Sequence, residues 1–195
     1  MLRSLKLISC SLWWLLLSSV VAVAQFGMPL NHSDPKLEPA TVRELVARYC
    51  RLDYAGVRLN PADWGKVQPV VSWTSDPDYL LFMITARFDV DTDAVSEHGK
   101  YIVVVHYRLL GKFDLSEGYS LDLANHVENV RYTVAEVNGD WRITDAEPGY
   151  PHPSRAATLQ WLNGKLADAK DAASQTIYQN AITRLQTQNV SPLAK

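Results

Sequence analysis

The residues of this chain best suited to chemistry are a histidine and two arginines on segments that alternate apolar and polar side chains. Within residues 101–110, His106 and Arg108 share one face, because every second side chain of a strand points the same way. Arg87 lies on the preceding segment of this kind. A histidine can act as a general acid or base, and an arginine can hold an anionic group. His106 is therefore a catalytic candidate, and Arg87 and Arg108 are ligand-binding candidates.

Two carboxylates could complete such a site. Asp53 follows a helical pattern, and Asp122 lies on a later strand-like segment. Either could act as a general base only if burial raised its pKa. Tyr49 and Trp64 are the aromatic ligand-binding candidates. The alternative interpretation remains open that the polar candidates are ordinary surface or hydrogen-bonded residues, since most polar side chains are exposed.

No pattern of metal-ligand spacing or cofactor binding is present. Residues 89–93 begin like a calcium loop, but Ala94 replaces the turn glycine and Lys100 stands where the closing carboxylate belongs, so we expect a solvated loop between strands. The sequence has no Gly-rich phosphate loop and no Gly-x-Ser-x-Gly motif. We therefore expect neither a metal nor a cofactor. The histidines also lack the spacing of a zinc site: His32, His98, His106, His126 and His152.

The first 24 residues have the three zones of a secretory signal peptide. Arg3 and Lys6 precede an apolar stretch over residues 7–21, and small residues end it at Ala22 and Ala24. This pattern predicts cleavage after Ala24 and a secreted or periplasmic protein. The alternative is an uncleaved anchor, because residues 7–24 form an uncharged stretch just long enough to span a bilayer. We expect membrane contact only in that case.

Cleavage would leave 17 basic and 21 acidic residues, a formal charge of −4, with no run of Lys or Arg to follow a phosphate backbone. Nucleic acid is therefore not an expected partner. Cys10 would be removed, which leaves Cys50 without a disulfide partner; its helical context predicts a buried, inert thiol. Hydrophobic residues make up 47% of the chain, enough for a core.

The changing period of the hydrophobic pattern predicts an α+β domain over residues 40–153, after a leader over residues 25–39. A helix begins at the capping box of Thr41 and Glu44, and a short helix runs from Asn60 to a stop at Pro69. An antiparallel sheet of about five strands follows, and Asn138-Gly139 is a strong hairpin signal. The predicted strands cover residues 79–89, 101–110, 119–124, 128–137 and 140–143.

A helical extension is predicted over residues 154–188, as one long helix or as two. Its apolar residues recur at helical spacing after Ser154. This stripe can pack on the chain's own domain or form the seam of a homodimer. Both interpretations remain open at the level of sequence.

Some of these features resemble the nuclear transport factor two family of α+β cones over about residues 41–147. The resemblance rests on the opening helix with Tyr49, on its end at Asp53-Tyr54-Ala55-Gly56, and on the closing strand over residues 138–143. It implies a curved sheet that wraps the first helix and leaves a pocket, which members use for binding, for isomerase, dehydratase or hydrolase chemistry, or for assembly. A cystatin-like or other helix-on-sheet fold has a similar order of elements.

Two hypotheses about the function of the domain remain open. The absence of catalytic motifs favours a noncatalytic module that binds a small apolar ligand or an extracytoplasmic protein. The alternative is a small pocket enzyme that uses His106 with Asp53 or Asp122 and with Arg87 or Arg108. A pocket filled by the protein's own Tyr and Trp side chains would count against ligand binding and catalysis in it.

Overall fold

The computed structural model describes residues 39–116 and 118–188. The predicted signal peptide, its cleavage site and nearly all of the predicted leader lie outside these residues. None of the helices in the described ranges is both long enough and apolar enough to cross a membrane.

The described residues form the α+β arrangement that the sequence predicts. Helix α1 is followed by three short 3₁₀ helices, a five-stranded antiparallel sheet and two C-terminal helices. In chain order the elements are α1 (Pro39–Tyr54), the 3₁₀ helices (Val57–Leu59, Pro61–Lys66 and Gln68–Val70), β1 (Leu81–Glu97), β2 (Lys100–Asp114), β3 (Ser120–Asp122), β4 (His126–Val137), β5 (Asp140–Glu147), α2 (Arg155–Asp168) and α3 (Ala172–Thr187).

Helix α1 begins earlier than predicted, at Pro39. Thr41 therefore lies inside the first turn, and the predicted capping box with Glu44 is wrong. Proline suits a helix start because its fixed φ is helical and its missing N–H needs no partner there. After α1, Asn60 caps the 3₁₀ helix at Pro61–Lys66 as predicted, with Oδ1 accepting from the Ala62 amide at 3.2 Å. Pro69 does not end the helical segment, because another 3₁₀ turn contains it.

The sheet has the order β1-β2-β4-β5, and β3 pairs with the end of β2. Strand β1 extends well beyond the predicted end at Asp89, so the expectation of a solvated loop over residues 89–93 is wrong. Val90 pairs with Val105 and Ala94 pairs with Val103, which leaves residues 91–93 opposite one residue of β2 as a bulge. An extended, bulged strand does not wrap around an ion as a calcium loop does.

The last two strands form the predicted hairpin. Asn138 and Gly139 have φ values of 55° and 87°, and a two-residue turn of this type requires positive φ at both positions. Strand β3 is shorter than predicted, whereas β4 begins two residues earlier, at His126.

Two buried clusters lie on opposite faces of the sheet. Met83 belongs to the cluster beneath α1, and its neighbours Phe82 and Ile84 belong to the one beneath α2 and α3. Leu162 of α2 and Leu185 of α3 are fully buried in the second cluster. The C-terminal extension is therefore two helices, and its apolar stripe packs on the chain's own sheet.

Candidate functional site

The space between α1 and the sheet is occupied by the protein's own aromatic side chains. Tyr49, Tyr107 and Tyr132 are each no more than 1% exposed. Tyr107 donates its hydroxyl proton to Cys50 Sγ at 3.1 Å, and its oxygen lies 2.9 Å from the Tyr132 hydroxyl. Burial raises the pKa of Cys50 to about 12, so the thiol stays protonated at neutral pH and is the buried, inert group predicted. Tyr49, a ligand-binding candidate, is thus a core residue.

A buried polar cluster that sequence reasoning missed lies beside these tyrosines. The backbone amide of His152 donates to Asp53 Oδ2 at 2.9 Å, and Nε2 of its ring lies 3.0 Å from Glu128 Oε2. The ring also stacks on Tyr107, with centroids 4.0 Å apart. The only local signal was the position of His152 between Pro151 and Pro153. Nothing in the sequence links it to Asp53, 99 residues earlier.

The two carboxylates favour the charged form of the His152 ring. Burial lowers the pKa of His152, but Asp53 and Glu128 outweigh this effect, so the pKa is raised overall. Because Nδ1 lies 3.8 Å from Asp53 Oδ2, too far for a hydrogen bond, Asp53 acts mainly through its charge. Burial raises the pKa of Glu128, but hydrogen bonds from His152 and Tyr150 lower it overall. The His152 and Asp53 side chains are 1% exposed, and their contact ties the loop between β5 and α2 to α1.

The structure does not bring His106 to Asp53. His106 lies on the face of β2 opposite Tyr107, with 42% of its side chain exposed. Its Nδ1 lies 2.7 Å from Asn129 Oδ1, and its Nε2 lies 3.8 Å from Asp91 Oδ2. Asp53 belongs to α1, which packs on the other face of the sheet. The acid–base pair of the enzyme alternative is therefore not assembled.

Arg87 and Arg108 are cross-strand partners beside His106 on this open face. The side chain of Arg87 is 58% exposed and lies 3.7 Å from Asp89, the register partner of His106. The structure thus collects three candidates, but on a sheet surface rather than in a cavity. Asp122 is apart from them, exposed on β3 and paired in register with Lys112.

Trp64, the remaining candidate, lies in a cleft outside the sheet, between the 3₁₀ segment and α2. This central cleft has a volume of about 540 Å³, and aromatic rings form much of its wall: Trp64, Tyr79, Tyr119 and Trp161. A second cleft of about 640 Å³ shares Leu59, Pro61, Trp161 and Lys165 with it. A third cleft of about 220 Å³ shares Tyr119. We call these three adjoining clefts the aromatic groove.

A buried ion pair borders the central cleft. Arg58 is 3% exposed, and its Nη2 and Nε donate to Asp76 Oδ1 at 2.8 and 3.0 Å. Arg58 also donates to the Tyr49 hydroxyl at 3.0 Å and to the Gly149 carbonyl at 2.9 Å. Burial raises the pKa of Asp76, and Arg58 offsets this only in part. The contacts of Arg58 connect the groove to α1 and to the loop between β5 and α2.

The aromatic rings of the groove are held in place by their neighbours. Trp64 Nε1 donates to the Thr74 carbonyl at 3.0 Å, and the Tyr79 hydroxyl donates to the Arg58 carbonyl at 2.9 Å. Trp161 packs edge-on against two buried phenylalanines, with ring centroids 5.4 and 5.7 Å away. Lys165 Nζ lies 5.4 Å from the centre of the Trp161 ring. A ligand would therefore meet rings that are already ordered.

Residues 39–116 and 118–188 contain no group of three or more His, Cys, Asp or Glu side chains that could hold a metal ion. The groove is characterised by aromatic rings and by charged side chains, among them the Arg58–Asp76 ion pair. In comparisons with known proteins, no family model, no curated protein and no solved structure matches the chain.

Proposed function

We propose that this chain is an exported, noncatalytic module that binds a small ligand in the aromatic groove. The main support is that the groove has the volume of a small-molecule site and that its aromatic rings are held in place by their neighbours. Its two larger clefts, of about 540 and 640 Å³, fall within the range of roughly 300–1,000 Å³ that is usual for small-molecule sites. Their rings need little reorganisation on binding.

The noncatalytic part of the proposal is supported by the chemistry of the groove. The described lining of the central cleft contains no histidine and no cysteine. Its arginine, Arg58, is already engaged by Asp76, Tyr49 and Gly149. The separation of His106 from Asp53 also weighs against the pocket enzyme, since a base must lie within hydrogen-bond reach of its partner.

The export part of the proposal rests on residues 1–24 and has its own test. Sequencing the N terminus of the protein from the extracytoplasmic fraction should show Gln25 as the first residue. A membrane-bound protein that still begins at Met1 would contradict cleavage and support the anchor.

We also propose a relationship to the nuclear transport factor two family. It is supported by α1 packing on an antiparallel sheet and by the hairpin that closes the sheet. In this proposal the interior that related cones keep open has been filled by Tyr49, Tyr107 and Tyr132, and the ligand site lies outside the cone. We expected from the sequence that a pocket filled by the protein's own aromatic side chains would not bind a ligand. In this proposal that expectation applies to the interior and not to the groove.

Ligand-observed NMR with a mixture of monosaccharides, nucleosides, amino acids and aromatic acids tests the groove. Ser75 lines the central cleft, and Gly164 lines the second cleft with open space beside its Cα. Ser75→Trp and Gly164→Trp should therefore obstruct the two clefts while the fold is kept. Asn163→Trp is the matched control, because Asn163 is exposed on the same helix and lines neither cleft.

We expect saturation-transfer signals from at least one compound with the wild-type protein and with Asn163→Trp, and their loss in a groove-filling variant. Native mass spectrometry of the purified protein would add any co-purified ligand. Signals that persist in both Ser75→Trp and Gly164→Trp, or the absence of any signal, would overturn the proposal.

A further inference from the structure

The three clefts of the aromatic groove adjoin one another through shared lining residues, which limits the shape of a ligand that would use all of them. The central and second clefts meet at Trp161 and Lys165, and the central and third clefts meet at Tyr119. The groove therefore runs from the start of the 3₁₀ segment, past α2, to the side of α3. A ligand that uses all of it must be elongated.

The formal charges of the lining balance within each of the two larger clefts. The central cleft has Arg58 and Lys165 against Asp76 and Asp78. The second cleft has Lys66 and Lys165 against Asp63 and Asp168. In the third cleft, Arg184 is engaged by the Leu121 carbonyl at 2.8 Å. Neither a polyanion nor a polycation would gain from a field of one sign, so the balance favours a neutral ligand.

The lining combines aromatic rings with groups that accept hydrogen bonds. Asp78 and Asp168 are exposed carboxylates that line the two larger clefts, to which Tyr79 and Trp161 contribute rings. Carboxylates accept hydrogen bonds and do not donate them. A suitable ligand therefore needs apolar faces for the rings and several donors for the carboxylates.

Two elongated neutral ligands fit an aromatic groove, and the carboxylates distinguish them. A proline-rich peptide packs well on aromatic rings, but proline has no N–H, so it would desolvate Asp78 and Asp168 without supplying donors. A sugar ring presents C–H groups on its face and hydroxyl groups around its edge. Those hydroxyls can donate to the carboxylates and accept from Lys165.

We infer that the aromatic groove binds a neutral oligosaccharide lying along the three clefts, with sugar rings packed on Trp161 and Tyr79 and hydroxyl groups donating to Asp78 and Asp168. This inference rests on the proposed function of the groove as a ligand site. It departs from the small apolar ligand expected from the sequence, because the lining is mixed rather than apolar.

Calorimetric titration of the full-chain protein tests the ligand class. The neutral probes are maltohexaose, cellohexaose and chitohexaose, each beside its disaccharide; the comparators are hexagalacturonate and decaproline. We expect at least one neutral hexasaccharide to bind saturably and at least about tenfold more tightly than its disaccharide, because it contacts more than one cleft. Ser75→Trp should abolish this binding, whereas Asn163→Trp should retain it.

A conservative variant tests the contact itself. Asp78→Asn keeps the shape of the side chain but removes its charge, and it should weaken hexasaccharide binding by roughly tenfold, as expected when a charged hydrogen-bond acceptor is lost. Asp93→Asn, exposed on β1 and outside the groove, should leave the affinity unchanged.

The two proposals fail in different ways. Groove-dependent binding of decaproline, tighter binding of hexagalacturonate, or equal affinity for disaccharide and hexasaccharide would overturn the oligosaccharide inference and leave the groove as a ligand site. Loss of the fragment signals as well as of all oligosaccharide binding would overturn both.

Discussion

His152 is buried against two carboxylates that lie 24 and 99 residues away in the sequence. Asp53 of α1 and Glu128 of β4 face its ring, Tyr107 of β2 stacks on it, and Tyr150 packs beside it. Because its pKa is raised on folding, its charged form stabilises the fold fully below the ordinary value of 6.5, and the contribution is lost as pH rises through the folded pKa. Glu128 has a lowered pKa, so its contribution is lost as acid protonates it.

His152→Asn should therefore remove a pH dependence as well as stability. We expect the free energy of unfolding of the wild-type protein to fall as pH rises from the ordinary histidine pKa of 6.5 through the raised pKa of folded His152, and this fall to be much smaller in the variant. Urea denaturation across that range measures both. His98→Asn is the control, since His98 is exposed in the β1–β2 turn. Equal pH slopes in wild type and His152→Asn would refute the assignment of a charged ring.

Arg58 supports the groove through a buried ion pair. Arg58→Ala would leave Asp76 and the Tyr49 hydroxyl without their donor, so we expect a loss of about 3–5 kcal/mol in the free energy of unfolding. Arg87→Ala removes an exposed arginine 3.7 Å from its carboxylate and should cost less than about 1 kcal/mol. Denaturation in urea measures the loss of stability in both variants. Similar losses would show that the buried Arg58–Asp76 pair contributes no more to stability than an exposed pair does.

The close approach of β2 to the chain at the end of β3 depends on Gly111. A Cβ atom at this position would overlap the Asp122 carbonyl oxygen and would lie 2.9 Å from the Leu123 Cα, so backbone would have to move. We expect Gly111→Ala to cost about 1–3 kcal/mol.

Gly164→Ala makes the same chemical change in helix α2, where no atom lies within 4 Å of the added Cβ. It should stabilise the protein by roughly 0.5–1 kcal/mol, because glycine is a poor helix former. Thermal unfolding of both variants gives the sign of each effect. A stabilising Gly111→Ala substitution would contradict the described contact between β2 and the end of β3.

At the scale of the whole described molecule, α2 and α3 are not an appendage, because their buried side chains form part of the core. Leu185→Ala removes a side chain with no exposed surface from the cluster around Phe82, Ile84 and Phe113, and should cost about 2–5 kcal/mol. Leu80→Ala, at a position 73% exposed, is the matched control and should cost little. If chemical denaturation showed equal effects, the packing of α3 on the sheet would be refuted.

Much of the element structure was predictable because it depends on neighbouring residues. The turn at Asn138-Gly139 and the cap at Asn60 form from groups within three positions of one another. The errors also have local causes: Pro39 starts α1 before Thr41, and a bulge lets β1 continue through residues that look like a loop. Strand alternation correctly separated His106 from Tyr107, but it did not identify which face α1 covers.

The sequence by itself thus determined the α+β class, the hairpin, the cap at Asn60 and the two faces of β2, since these follow from backbone chemistry and short-range periodicity. The tertiary structure alone decided where chemistry is available. It placed His152 against Asp53 and Glu128, filled the interior with tyrosines, and assembled the aromatic groove from Trp64, Tyr79, Tyr119 and Trp161. These contacts join residues far apart in the chain, and their partners depend on how the helices pack on the sheet, which no local pattern specifies.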